Sequence, residues 1–242
     1  MKSFLKVLSQ HQLPNGQFPT KVINYKEGFT QDIHTITPTY LICLMLSIFR
    51  EHYSSHHLID RILEKGMLFF QKIAYQDPIE KIKVWHFNAY YPPDWENTCW
   101  CSYLLYQAGI FHKKNLEPLY QLILANETPD KGVGVWVKDT YSEDNRFNNV
   151  FDPLVSVSVV QWLERVFGHT SEPTKKFILA CIESDSQSLY YDEIFKNFLF
   201  SLFGYKKRPN LLTNHDYCLF HHGKRTQVWY ASSDAWETAN IF

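Results

Sequence analysis

The segment PPDWENTCWCSYLLYQAG, residues 92–109, brings together side chains that could perform acid or metal chemistry. Asp94 and Glu96 form a pair of carboxyl groups two residues apart. Such a pair can keep a proton on one member, and a partly desolvated carboxylic acid of this kind can act as a general acid. Cys99 and Cys101 raise the separate question of a zinc site.

The same carboxyl groups also fit the start of a helix. Asp94 follows two prolines and is a favourable N-cap residue, and Glu96 would lie in the first turn, where the helix dipole favours a negative charge. Capping is the commoner role for residues in this pattern. Acid catalysis by this carboxyl pair is therefore a hypothesis that competes with a structural one.

Metal binding is not predicted from this segment. Cysteines two positions apart on a helix point about 200° away from each other, so Cys99 and Cys101 cannot converge on one ion. Buried free thiols are the expected state. The sequence contains no DDxxD motif for a magnesium-bound diphosphate, and we predict neither a metal nor a cofactor. Other candidate zinc ligands are Cys181, Cys218, His221 and His222.

The elements that must position these residues are predicted to be helices of two kinds. Amphipathic helices with one polar face are expected at 57–74, 114–126 and 173–183. Helices that are apolar almost all round are expected at 38–49, 97–108, 153–167 and 193–204. The two kinds alternate along most of the chain. In 154–160 valine and serine also alternate, which leaves a strand as the other interpretation.

Each apolar helix follows a polar lead-in that contains aromatic residues. Helix starts near 37, 97, 153, 193 and 236 give a weak repeat of about 40–60 residues, which indicates stacked helical hairpins. Such hairpins form either an open solenoid or a closed toroid. Aromatic lead-ins at one end of every apolar helix favour the toroid. We therefore predict an all-α, single-domain α/α toroid of about five hairpins over residues 1–242, with apolar helices inside and amphipathic helices outside.

Composition limits the possible functions. The 24 basic and 25 acidic residues nearly cancel, which argues against an electrostatic nucleic-acid binder. No stretch is apolar enough for a membrane span or signal peptide, and five cysteines without an export signal predict a soluble, cytoplasmic protein with reduced thiols. Aromatic residues make up 17% of the chain and could line a cavity as well as fill a core. The candidate substrate-binding residues are Trp85, Trp95, Trp100, Trp136, Trp229 and Asp152.

Three short motifs resemble those of known families. Residues 12–18, Gln-Leu-Pro-Asn-Gly-Gln-Phe, fit Q-x3-G-x-F, which resembles the Q-x3-G-x-W repeat of squalene-type terpene cyclases, and a looser copy ends at Trp136. Residues 94–99, DWENTC, resemble the D-x-D-D-T-A acid motif of class II terpene cyclases, with Glu96 and Asn97 in place of the central pair. The segment NTCWC is also similar to the zinc-binding H-T-C-Y-C of protein prenyltransferase β subunits, with Asn97 at the histidine position.

The chain thus resembles the terpenoid cyclase and protein prenyltransferase superfamily of α/α toroids. This resemblance implies an apolar isoprenoid ligand in an aromatic cavity and places Glu96 at the position of the proton donor, with Asp94 beside it. Class II cyclases generally form their cavity between two helical domains, and this chain supplies one, so a homodimer or a partner protein is expected to complete the cavity. One alternative is a non-catalytic toroid that binds a lipid or protein partner. A third interpretation is a carbohydrate-active toroid enzyme that uses Asp94 or Glu96 with Asp152.

Overall fold

The computed structural model describes residues 2–24, 29–33, 35–52, 57–77, 81–88, 91–137, 150–184 and 188. These residues are mostly helical and contain seven helices and two short pairs of strands. None of the described helices is long and apolar enough to cross a membrane. Several sequence predictions lie outside the described residues, namely the apolar helix at 193–204, the helix start near 236, Trp229, and the candidate ligands Cys218, His221 and His222.

The three apolar helices that were predicted within the described residues are present. They are α2 (Thr37–His52), α4 (Trp95–Gln107) and α6 (Pro153–Phe167). The three amphipathic helices are also confirmed, as α3 (His57–Ile73), α5 (Lys113–Asn126) and α7 (Glu172–Glu183). An additional helix, α1 (Lys2–His11), was not predicted. The alternation of the two kinds of helix is therefore as the sequence indicates.

The apolar helices form one packed row. Helix α4 lies between α2 and α6 and contacts both, while α3 packs on α2 and α4, and α5 and α7 pack on α6. Helix α1 packs on α3. Every residue of α4 from Trp95 to Leu105 is buried, whereas α5 buries only Leu116, Leu119 and Ile123. The row of buried helices with partly exposed helices around it fits the predicted arrangement, and closure into a five-hairpin toroid stays a prediction.

The strand interpretation of 154–160 is wrong, because this segment lies within α6. All residues from Pro153 to Leu163 are buried, so the helix has no polar face there from which its period could be recognised. Two serines, Ser156 and Ser158, interrupt the apolar pattern, and both are buried. Ser158 donates to the carbonyl oxygen of Leu154 one turn earlier (3.1 Å), whereas the Ser156 hydroxyl makes no hydrogen bond within the described residues.

Two short antiparallel hairpins accompany the helices. Strand β1 (Thr20–Asn24) pairs with β2 (Phe29–Ile33), and β3 (Tyr75–Gln76) pairs with β4 (Lys83–Val84). They were not predicted, because strands of two to five residues show too few alternations to be distinguished from loops. The fold is therefore mostly helical, with two small sheets added to the predicted all-α architecture.

The Q-x3-G-x-F motif joins two helices. Gln12, just after α1, is buried, and its side-chain Nε2 donates to the carbonyl oxygen of Gly16 and to that of Ile62 in α3, each at 3.0 Å. Gly16 has φ +93°, and a Cβ added at that position would overlap the carbonyl oxygen of Lys65 in α3. Phe18 is fully buried. The motif thus has a structural role at the α1–α3 contact.

The lead-ins of the three apolar helices contact one another. Backbone hydrogen bonds run from Ile36 N to Phe87 O (3.3 Å), from Trp95 N to Val135 O (2.9 Å) and from Val137 N to Pro93 O (2.9 Å). The first bond joins the lead-in of α2 to that of α4, and the other two join the start of α4 to the lead-in of α6. The N-terminal ends of the apolar helices are therefore tied together in the order of the repeat.

Candidate functional site

Asp94 caps the helix that carries the candidate acid. Its Oδ1 accepts a hydrogen bond from the backbone N–H of Asn97 (2.8 Å), and its Oδ2 accepts one from the Asn97 side-chain amide (2.6 Å). The capping interpretation of Asp94 is thus confirmed. Asn97, which replaces an aspartate of the class II motif, engages both carboxylate oxygens of Asp94. The bond from the Asn97 side chain was not predicted.

The carboxyl group of Asp94 is also perturbed electrostatically. Its side chain is only 5% exposed, and burial raises its pKa from 3.8 to about 6, against the hydrogen bonds from Asn97, which lower it. A carboxyl group with a pKa of about 6 holds a proton over a much wider range of pH than an ordinary aspartate. The start of α4 is therefore an environment that favours a protonated carboxyl group.

Glu96 is buried between two of the apolar helices. It is the second residue of α4, and 7% of it is exposed. The phenolic hydroxyl of Tyr40, in the first turn of α2, donates to Glu96 Oε1 at 2.5 Å. Tyr40 itself is fully buried. Glu96 is thus held inside the protein by a group from the neighbouring helix and does not point into solvent.

Tyr40 is the residue of this site that the sequence analysis missed. A signal was present, because Tyr40 is a hydroxyl-bearing residue within the apolar run YLICLMLSIF, residues 40–49. A buried hydroxyl needs a hydrogen-bond partner, and the partner in a helical hairpin repeat would come from the next apolar helix. The sequence alone did not identify Glu96 as that partner, since the pairing depends on the register of α2 against α4.

Thr98 and Trp85 have structural roles in the same region. The Thr98 hydroxyl accepts a hydrogen bond from the backbone N–H of Trp85 (3.1 Å), which fixes the lead-in to α4. The Trp85 indole N–H donates to the carbonyl oxygen of Phe70 at the end of α3 (2.9 Å). Trp85 has no exposed surface. The threonine shared with the class II motif therefore secures the loop that precedes the carboxyl pair.

The other predicted tryptophans differ in accessibility. Trp95 and Trp100 are 0% and 1% exposed, and the Trp100 indole donates to Ser158 Oγ on α6. Trp136 is 9% exposed and pairs in a β-bridge with Asp94. Its ring lies parallel to that of Tyr91, with an interplanar angle of 4° and centroids 6.0 Å apart. Among the predicted tryptophans that the structure describes, Trp136 has the most accessible surface, and it lies beside Asp94.

Asp152 is the N-cap of α6, as Asp94 is of α4. It is fully buried, its Oδ1 accepts from the backbone N–H of Leu154 (2.8 Å), and its Oδ2 accepts from Ser188 Oγ (2.7 Å). Asp152 therefore occupies the equivalent position of the next apolar helix. Both of its oxygens are engaged in holding protein groups, which is the role that sequence capping rules assign to such an aspartate.

The four cysteines within the described residues, Cys43, Cys99, Cys101 and Cys181, are buried free thiols. Cys99 and Cys101 are fully buried, and burial raises the pKa of both thiols well above 9.0. Asp94 adds to the shift of both thiols. Cys43 on α2 has its pKa raised to about 12 by burial. Within the part of the chain that the structure describes, no three His, Cys, Asp or Glu residues are grouped so that they could hold a metal ion. A thiol with a raised pKa is a poor metal ligand, because the thiolate is the form that binds.

A cleft of about 310 Å³ lies among the described residues between Gln76 and residues 81–83 on one side and residues 110–119 on the other. Its apolar wall includes Ile82, Phe111 and Leu116, and Lys81 and Lys83 also border it. None of the predicted site residues that the structure describes borders this cleft. The carboxyl pair and the cleft are therefore separate features of the molecule.

Comparisons with known proteins give a limited similarity. No protein-family model matches the sequence, and no curated protein matches it. Similar solved structures include two of the type II terpene cyclase MstE from Scytonema, one in complex with its product merosterolic acid A and one with its substrate geranylgeranyl dihydroxybenzoate. Each of the two structures has 13% sequence identity to this chain and a TM-score of 0.46, and each match covers 77% of this chain. The chain covers 59% and 58% of those two chains, less than two thirds of their length.

Proposed function

We propose that the protein binds an apolar, isoprenoid-like molecule and that Glu96 starts its cyclisation by protonating a double bond. The observation that carries the proposal is the burial of two carboxyl groups, Asp94 and Glu96, at the start of one apolar helix. Burial raises the pKa of Asp94 to about 6, so a carboxyl group at this helix start keeps its proton to a higher pH than an ordinary aspartate does. A buried carboxyl group that retains its proton is the starting state of an acid catalyst.

The proposed step moves one proton and leaves the electrons balanced. The O–H bond of the Glu96 carboxyl group breaks, and its electron pair stays on Glu96 as the carboxylate. The π electrons of the terminal double bond form the new C–H bond, which leaves a carbocation that the next double bond attacks. Asp94 tunes this acid, because a negative charge beside Glu96 favours the protonated form of Glu96.

Aromatic rings would stabilise the carbocation, since their faces carry partial negative charge. Of the tryptophans proposed to bind the substrate, Trp136 is the one within the described residues with accessible surface next to Asp94, and Tyr91 extends that surface by stacking on it. The buried residues Trp85, Trp95 and Trp100 would pack beneath this aromatic surface. Asp152 and Trp229 stay proposed substrate-binding residues, as does the completion of the cavity by a second copy or a partner protein.

The direct test replaces the acid while keeping its shape. Glu96→Gln retains an oxygen that can accept the Tyr40 bond but removes the transferable proton. We expect it to lower the formation of cyclised product from linear prenyl alcohols and prenyl diphosphates by a factor of about 100 or more, the contribution typical of a general acid. Glu64→Gln, a change at an exposed glutamate of α3, is the matched control and should leave product formation unchanged. Equal product from the Glu96→Gln variant and the wild type would remove Glu96 from the mechanism.

A non-catalytic toroid that binds a lipid or protein partner is the second candidate. The capping of α4 favours it, because both oxygens of Asp94 already accept hydrogen bonds from Asn97. Native mass spectrometry of the purified protein distinguishes the two functions. An apolar molecule that co-purifies unchanged with both wild type and Glu96→Gln would support the binder, whereas a cyclised product that is bound to the wild type alone would support the enzyme.

A further inference from the structure

We propose that Tyr40 is a positioning residue for Glu96, which orients the carboxyl group and stabilises the carboxylate that remains after proton transfer. This inference rests on the proposed function and extends it. The acid site would then be built from two helices, since Tyr40 belongs to α2 and Glu96 to α4. The resemblance to an acid motif covers only the α4 part of this pair.

The contact between the two side chains is short and enclosed. The Tyr40 hydroxyl donates to Glu96 Oε1 at 2.5 Å, at the lower end of the range for a hydroxyl that donates to a charged carboxylate. Tyr40 is 0% exposed and Glu96 is 7% exposed, so water competes little for this bond. A hydrogen bond in such an environment is electrostatically stronger than the same bond in water.

The backbone holds the two helix starts in register. The backbone N–H of Tyr40 donates to the carbonyl oxygen of Ile36, the residue just before α2 (3.2 Å). The backbone N–H of Ile36 in turn donates to the carbonyl oxygen of Phe87 in the lead-in to α4 (3.3 Å). At the adjacent position, the Thr37 hydroxyl lies 3.5 Å from the side-chain oxygen of Asn97. The bond between Tyr40 and Glu96 is therefore supported by further contacts at the starts of the two helices.

The contact concerns the oxygen that receives charge when Glu96 is ionised. In the ionised form, Oε1 of Glu96 accepts the hydrogen bond from Tyr40. When the proton of the acid form leaves, the negative charge is shared with Oε1, and the bond from Tyr40 becomes a charge-assisted one. An interaction that strengthens as charge develops lowers the barrier of the step, whereas one of constant strength does not.

The test uses Tyr40→Phe, which keeps the ring and removes the hydroxyl. The matched control is Tyr103→Phe, because Tyr103 is a buried tyrosine of α4 whose hydroxyl accepts from Arg165. The first measurement is the NMR signal of the Glu96 carboxyl carbon in protein with ¹³C-labelled glutamate, identified by its loss in Glu96→Gln. We expect this signal to move in Tyr40→Phe and to stay in place in Tyr103→Phe. A signal that is unchanged in Tyr40→Phe would overturn the inference whether or not the protein is an enzyme.

The second measurement is the rate of cyclisation. Tyr40→Phe should lower kcat about tenfold to a hundredfold with little change in KM, the effect of losing one hydrogen bond to a developing charge. A wild-type kcat in Tyr40→Phe would overturn the catalytic part of the inference. If the Glu96 signal moves but the wild type forms no product, the proposed function fails while the positioning of Glu96 by Tyr40 is supported.

If Tyr40→Phe does not fold, the same contact can be tested by observing the Tyr40 signal in a Glu96 variant. In protein with ¹³Cζ-labelled tyrosine, the Tyr40 signal should move in Glu96→Gln and stay in place in Glu64→Gln. An unchanged Tyr40 signal in Glu96→Gln would show that the two side chains are not bonded in solution, and would overturn the inference.

Discussion

The indole N–H of Trp100 on α4 donates a hydrogen bond to the hydroxyl of Ser158 on α6, at 2.9 Å. The reverse contact is also present, because Trp162 on α6 donates to Ser102 on α4 at 2.9 Å. All four residues are buried. Two reciprocal bonds of this kind fix the register of the two helices, since sliding either helix by one turn would leave both indole groups without acceptors. The equivalence of the two contacts also agrees with the repeat of apolar helices indicated by the sequence.

We predict that Ser158→Ala lowers the free energy of unfolding by about 1–3 kcal/mol, because it leaves the buried Trp100 N–H without its acceptor. Urea denaturation followed by circular dichroism measures this difference. The control is Ser3→Ala at an exposed position of α1, which should change the stability by less than about 0.5 kcal/mol. If Ser158→Ala lowers the free energy of unfolding no more than Ser3→Ala does, the Trp100–Ser158 bond does not stabilise the fold.

The raised pKa of Asp94 predicts a pH-dependent contribution to stability. Its pKa is about 6 in the folded protein and 3.8 ordinarily, so the folded state binds more protons than the unfolded state between these values. The resulting stabilisation is complete below about pH 4 and is lost as the pH rises through about 6. The shift corresponds to about 3 kcal/mol.

Asp94→Asn isolates this contribution, because the amide at that position does not titrate. We expect the free energy of unfolding of the wild type, taken relative to the variant, to fall by about 3 kcal/mol between about pH 4 and pH 7. Any loss of capping or of the Asn97 amide bond adds a constant offset that does not depend on pH. Parallel pH profiles of the two proteins would show that the pKa of Asp94 is not raised by burial.

We predict that replacing Gly16 destabilises the protein mainly by steric overlap, and Gly109 serves as the control for that cause. Its positive φ and the overlap of an added Cβ with the Lys65 carbonyl oxygen predict that Gly16→Ala costs about 3 kcal/mol or more. Gly109 also has a positive φ, +72°, but no atom lies within 4 Å of its Cβ position. Gly109→Ala should therefore cost only about 1–2 kcal/mol, the strain of the left-handed conformation. Equal losses in urea denaturation would show that the α1–α3 contact adapts to a side chain at Gly16.

Cys99 and Cys101 should be unreactive in the folded protein. Burial and the neighbouring Asp94 raise the pKa of both thiols, and the thiolate is the reactive form. We expect iodoacetamide at about pH 8 to leave both residues unmodified in the native protein and to modify both in urea, as read by peptide mass spectrometry. Rapid modification of Cys101 in the native protein would mean that this thiol is accessible, and would reopen the question of a metal site.

The helices were predictable from the sequence because their patterns are local. The apolar stripe of α3 and the capping residue Asp94 are signals that lie within a few residues of the elements they mark. Burial on all sides removed the helical period from α6, so its V-S-V-S segment fitted a strand equally well. The hairpin of β1 and β2 was missed because five-residue strands carry too little pattern.

The site was predictable only where it lies in one segment. The carboxyl groups of Asp94 and Glu96 were recognised from their spacing, whereas the partner of Glu96 comes from a helix 56 residues earlier in the chain. Side chains that meet across helices depend on register, which a single sequence does not specify. The tryptophans show the same limit, since the sequence cannot distinguish Trp136, with accessible surface, from the fully enclosed Trp85.

Protonation of a double bond by Glu96 is the central claim, and the source of the added hydrogen tests it most directly. A cyclisation reaction run in D₂O with the wild-type protein should give a product that carries one deuterium at the carbon that is protonated first, as measured by mass spectrometry and NMR. Glu96→Gln should give no such product, and Glu64→Gln should give the same labelled product as the wild type. A cyclised product without deuterium, or a labelled product formed equally by Glu96→Gln, would contradict the account.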